Sequence, residues 1–319
     1  MISRRTTAGA MAVLLTASLV VGCSAATSSD AQPSPPGTSP IATPESTTAA
    51  STIEVAVDAA ALQHIHNLGL EGDTLLIGSH QGLYRQPPGQ SPERVGDPFD
   101  VMGLTTAGDR WLASGHPGAE MNAPPDLGLL ESNDKGQSWT DVSLSGQVDF
   151  HRLTASGDTV LGVNSGDGQL WRSTDGGKNW NTAGAGPFDV ALDPNNPQRA
   201  IATTQNGPTA SPDGGSTWKP LPDAPLIALI AWTSASVWGV TPDGNVYASS
   251  NAGQTWRETG KVTGSPSALT ASPSHVNVLS GDTIWESLDQ GATFAPRVSG
   301  PPATRFLHAI RGDAPSRAE

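Results

Sequence analysis

Ser173-Thr-Asp175-Gly176-Gly177-Lys-Asn179-Trp180 is one of five copies of a single eight-residue pattern. The others are Ser132-Asn-Asp134-Lys-Gly136-Gln-Ser138-Trp139, Ser211-Pro-Asp213-Gly-Gly215-Ser-Thr217-Trp218, Ser249-Ser-Asn251-Ala-Gly253-Gln-Thr255-Trp256 and Ser287-Leu-Asp289-Gln-Gly291-Ala-Thr293-Phe294. Successive copies start 41, 38, 38 and 38 residues apart. A fixed period near 40 in a chain patterned for short strands indicates a β-propeller with one blade per repeat. Asp or Asn at the third place accepts bonds from nearby backbone N–H groups and closes an Asx-type turn. Gly at the fifth place adopts positive φ without a steric penalty. The aromatic ring at the eighth place starts the next strand and packs under the hairpin. Asp134, Asp175, Asp213, Asn251 and Asp289, with Trp139, Trp180, Trp218, Trp256 and Phe294, are therefore read as structural.

Short strands precede each copy. His151–Ala155, a Ser-Gly-Asp158 turn, Thr159–Val163 and Leu170–Ser173 lead into the third blade's turn. Blade 2 matches with Gly108-Asp109 and Trp111. Blade 1 matches with Gly72-Asp73, Leu75–Ile77 and Gly82–Arg85, but Pro87–Pro92 stands where the repeat would be. This phase gives an all-β, six-bladed propeller. One further strand, Thr304–Gly312, pairs in this reading with Thr52–Val57 to close the ring. The alternative is a seventh, degenerate blade made from those two termini.

Composition agrees. The 319 residues include 36 Gly and 27 Pro, which suits many tight turns and not a helical bundle. One Cys excludes an internal disulfide framework. A net charge of −13 argues against a nucleic-acid partner.

Residues 1–22 read as an export leader: Arg4 and Arg5, then an apolar run from Ala8 to Val21 that is short for a membrane span. The run ends Leu19-Val-Val-Gly22-Cys23, which resembles a bacterial lipobox. That resemblance implies acylation of Cys23, a membrane anchor and exposure on the outer face of the cell envelope. Thr7 stands where a twin-arginine signal carries an apolar residue, so the export route stays open. Residues 23–52 are Ser-, Thr-, Ala- and Pro-rich, the composition of a tether. The propeller is expected over 53–319.

The innermost strand of a blade lines the channel, and its start shares one face with the connection between the second and third strands. Six of seven histidines map there: His64, His66, His80, His116, His151 and His308. His275 alone maps to an opposite, surface turn. Asp100, Met102 and Asp149 join the six. His, carboxylate and Met suit a transition metal such as copper or zinc. A small organic ligand and a merely polar channel mouth are the other readings. Asp100, Asp149, Glu120 and Asp126 are the carboxylates positioned for glycosidase chemistry, which needs two facing acids. The insertion Ala119–Leu127 is expected to overhang this face.

The five turns resemble the Asp-box, or BNR repeat, of sialidase-like propellers. His64-Ile-His66-Asn-Leu68, Ser79-His80-Gln-Gly-Leu83, Asp100-Val-Met102-Gly103, Ser114-Gly-His116-Pro117 and Asp149-Phe-His151 are similar to segments of secreted bacterial propellers labelled glycosylhydrolase or exo-α-sialidase-like. The resemblance implies a possible glycoside hydrolase. True sialidase chemistry is not evident. Only Tyr84 and Tyr247 exist as Tyr nucleophiles, both on third strands, and no arginine triad assembles from Arg85, Arg94, Arg110, Arg152, Arg172, Arg199, Arg257, Arg297 and Arg305. Asp-box propellers also serve as protein-binding scaffolds, so metal, glycan and protein partners all remain open.

Overall fold

The computed structural model describes residues 55–56, 62 and 64–299. The leader, Cys23, the tether, His308 and the strand expected over Thr304–Gly312 lie outside them.

Six small antiparallel sheets succeed one another along the chain, each built from consecutive strands in sequence order. The first strands are Ile65–Glu71, Asp100–Ala107, Phe150–Ser156, Asp189–Asp193, Leu229–Trp232 and Pro266–Ala271. Each contacts the next, and the last returns to the first, so they line a closed ring around a central channel. This is the six-bladed propeller. Among the described residues there is no helix and no seventh sheet. Val55–Ala56 instead pairs in parallel with Ala295–Ser299, the outermost strand of blade 6, making that sheet five-stranded. The N-terminal strand thus straps the outside of the last blade.

Alternation puts apolar side chains between adjacent blades. Leu112, Leu129, Val148, Phe150 and Val160 form one such layer between blades 2 and 3. The five turns staple blades together. In each, the serine Oγ meets the third-place Asp or Asn and accepts the fifth-place glycine N–H, as in Ser211 with Asp213 (2.9 Å) and Gly215 (2.8 Å). Gly215 has φ +92°, and a Cβ there would stand 2.8 Å from Leu161 of the preceding blade. Only glycine allows that approach.

Blades 6 and 1 close the ring through Leu68, Leu75, Ile77 and Tyr84 against Ala268, Leu279, Ile284 and Val298. Arg297, buried, crosses this seam to the Gln86 side chain (2.8 Å) and the Asp73 carbonyl (2.8 Å), and pairs with Glu286. His275 corrects the sequence reading. It is no plain surface residue, because its ring is largely covered and bridges Asp73 (2.9 Å) and Glu286 (2.8 Å) in the same seam.

Candidate functional site at the channel mouth

The site begins with a backbone irregularity. In blades 1, 2, 3 and 6 the pairing register slips at the start of the innermost strand, between Ile65 and Asn67, Val101 and Gly103, Phe150 and Arg152, and Pro266 and Ala268. The residues skipped are His66, Met102, His151 and Ser267. A bulged residue leaves the ladder and its side chain is re-aimed. All four line one cavity of about 460 Å³ at the channel mouth, with Arg152, Ser165 and Phe188.

His66, His80 and Asp100 meet there. His66 Nε2 lies 3.2 Å from Asp100 Oδ1, and His80 Nδ1 lies 2.5 Å from Asp100 Oδ2. One ligand atom from each falls within 4.8 Å of the others. His66 Nε2 and Asp100 Oδ1 are buried without a hydrogen-bond partner, so their close approach lacks hydrogen-bond alignment. Burial works against the Asp100 carboxylate, but His66 and His80 outweigh it and lower its pKa. Asn67 orients the strand by donating to the Met102 carbonyl (2.7 Å).

A second group adjoins the first. Asp100 and His116 are directly paired across strands. His116 Nε2 lies 3.4 Å from Asp149 Oδ2, which also takes His151 Nε2 at 2.6 Å and the Ser165 hydroxyl at 2.8 Å. Asp149 is 5% exposed, and its Oδ1 has no partner. Leaving a buried acceptor unmatched costs about 1–3 kcal/mol, and more when it is charged. Despite burial, His151, Ser165 and His116 lower the Asp149 pKa. Burial likewise opposes a charged His116, but the Pro125 carbonyl and Asp149, Asp100 and Asp126 raise its pKa.

The Ala119–Leu127 insertion touches this group at His116. Pro125 O is 2.9 Å and Asp126 Oδ1 3.5 Å from His116 Nδ1. Leu127 is buried and Met121 packs on the same cluster, which anchors the connection. Glu120 is exposed and makes no polar contact with any described residue. His64 does not join the ligand trio. It precedes the strand at φ +57°, exposed, with its ring centroid 5.2 Å from that of His80. Of the two, only His66 reaches Asp100.

Three participants escaped sequence reasoning. Asn164 and Ser165 hold Asp149, the former accepting its backbone N–H at 3.1 Å. Asp189 sits at the start of blade 4's inner strand, as Asp100 does in blade 2, and that shared position was the available signal. Burial raises its pKa against the opposing Arg152 and the N–H groups of Ile230 and Val190. Arg152 donates to the Phe188 carbonyl (3.2 Å). Other arginines serve blade seams: Arg110 holds the Gly176 carbonyl and Arg172 that of Gly214, while Arg199 pairs with Asp193 inside blade 4 and lies over the Trp232 ring of blade 5.

No protein-family model matches the chain, and no curated protein is similar to it in sequence. Solved structures share the fold. A GH74 xyloglucanase from Xanthomonas campestris has a TM-score of 0.51 and 15% identity over 74% of this chain and 45% of that one. A nidogen/laminin complex gives 0.55 and 11% over 69% of this chain and 91% of that one. YCF48 bound to a D1 peptide gives 0.46 and 17% over 76% and 84%. This chain spans under half of the xyloglucanase. At these identities the likeness defines a β-propeller and nothing narrower.

Proposed function

We propose that this protein is a lipid-anchored, extracytoplasmic propeller that binds a transition-metal ion, copper or zinc, through His66, His80 and Asp100. One observation carries the reading. Three groups of the types these metals prefer offer ligand atoms within 4.8 Å of one another, and His66 Nε2 and Asp100 Oδ1, 3.2 Å apart, are buried without an aligned hydrogen bond. An ion would supply the missing partner. Cys23, acylated, would hold the ring at the outer membrane face, with 24–52 as tether.

A second reading is a glycoside hydrolase. It draws on Asp149 and Asp126 flanking His116, beside a cavity of about 460 Å³, within the range of small-ligand pockets. A protein partner would find exposed Phe188 and Leu226.

The test is equilibrium dialysis of the full chain against Cu(II) and Zn(II), read by elemental analysis. Cys23→Ser removes the competing thiol. The expected result is stoichiometric binding that weakens at least tenfold in His66→Ala plus His80→Ala, with an unchanged circular dichroism spectrum. Equal binding by that variant would end the metal reading and turn attention to sugar substrates.

A further inference from the structure

We infer that His116, His151 and Asp149 form a second metal site beside the first, so that the mouth holds two ions.

The argument starts from His116. A backbone carbonyl can only accept, so the 2.9 Å contact between Nδ1 and Pro125 O places the ring hydrogen on Nδ1 in neutral His116. Its Nε2 lone pair then faces Asp149 Oδ2 at 3.4 Å. A lone pair against a carboxylate repels unless a proton on Nε2 or a metal cation lies between them, and an ion would bind here by displacing that proton. This is also how proteins present a metal-binding imidazole: one nitrogen is fixed by a carbonyl and the other is left for the ion.

The other ligands are built in the same way. Asp149 is held rigidly, with its N–H on Asn164, its carbonyl accepting the Ser165 N–H at 2.9 Å, and its Oδ2 accepting the Ser165 hydroxyl. Its Oδ1 is buried and unpartnered. His151, the bulge residue of blade 3, brings Nε2 to 2.6 Å from Oδ2. Two imidazoles thus converge on one carboxylate whose remaining oxygen is free.

The two sites differ in readiness. Among the described residues only His66, His80 and Asp100 already bring three ligand atoms within 4.8 Å. His116 and His151 are partly exposed, and side-chain rotation must draw them in to the roughly 2.0–2.1 Å of a zinc–nitrogen bond. The second site is therefore the weaker. Because Asp100 and His116 are cross-strand partners, the two ions would be neighbours.

Zn(II) titration of the full Cys23→Ser chain by calorimetry tests this. Wild-type residues at the mouth should give two equivalents, the second at least tenfold weaker. His116→Ala plus His151→Ala should leave one, and Asp149→Asn should weaken the same step while retaining more of the local packing. One equivalent abolished by the His66/His80 variant alone would overturn the second site and leave the first standing. One equivalent abolished by the His116/His151 variant alone would do the reverse. No binding would refute both. Circular dichroism and thermal unfolding confirm that each variant is folded.

Discussion

The two faces of the ring handle the same residue type in opposite ways. On the turn face each third-place aspartate is partly or fully exposed and fully matched. Asp213 Oδ1 accepts the Thr217 N–H at 2.8 Å and Oδ2 its hydroxyl at 2.7 Å. On the mouth face Asp100 and Asp149 are covered, and each keeps an oxygen without a partner. The turn face repeats from blade to blade, while the mouth face does not. Four of six blades carry a bulge there, and its residue is His, Met, His or Ser. The periodic face holds the ring together. The buried, incompletely matched carboxylates collect where the period breaks, which is where departures from local rules point to a functional site.

If that division is correct, damage to one face should leave the other intact. The largest effect is expected for Gly215→Ala. The new Cβ would combine a left-handed backbone with a clash against Leu161, costing about 2–4 kcal/mol. Denaturant unfolding should report the loss, and Zn(II) stoichiometry should not change. Loss of metal binding along with stability would mean that the faces are coupled and that the division is wrong.

A pH titration sharpens the same contrast. Hydrogen bonds from Ser138, Thr217 and Thr293 hold Asp134, Asp213 and Asp289 at about 2. Their folded values lie below the unfolded value near 3.9. Their contribution is therefore complete above that pH and is lost as pH falls through about 2. Asp189 at the channel has the opposite sign. Burial raises it, so its contribution is present below the ordinary carboxylate value and is lost as pH rises past it toward its folded value. Carboxyl carbon NMR should find the three turn aspartates still ionised at pH 3 and Asp189 titrating above the ordinary carboxylate value. Turn aspartates titrating near 4 would show that their hydrogen bonds are not maintained in solution.

Much of the turn face was legible because its rules are local. Ser, Asp, Gly and Trp at fixed offsets specify a turn without reference to any other strand, and the spacing then counts blades, including blade 1, which lacks the pattern. The mouth was legible only as a collection of histidines and acids on one face. Which of them meet depends on register. His64 and His66 look equivalent as a two-residue alternation, yet His64 stands before the strand at φ +57°, and of the two only His66 reaches Asp100. His275 looked like a surface turn residue because its partners, Asp73 and Glu286, come from the far end of the chain and from another strand. Asn164 and Ser165 carry no motif at all and matter only because strand pairing sets them beside Asp149.

The smallest expected effect concerns the fourth place of the turn. Lys135, Ala252 and Gln290 occupy it at φ +57° to +62°, while Gly176 and Gly214 fill it in the other two copies. A left-handed backbone costs a non-glycine residue about 1–2 kcal/mol, and glycine costs about 0.5–1 kcal/mol in folding entropy. These terms nearly cancel, so Ala252→Gly should gain no more than about 1 kcal/mol, read as a small rise in the unfolding midpoint. A loss would mean that the Ala252 methyl contributes packing that the repeat pattern does not predict. The turn face would then carry residue-specific contacts of its own, and its difference from the mouth would be one of degree.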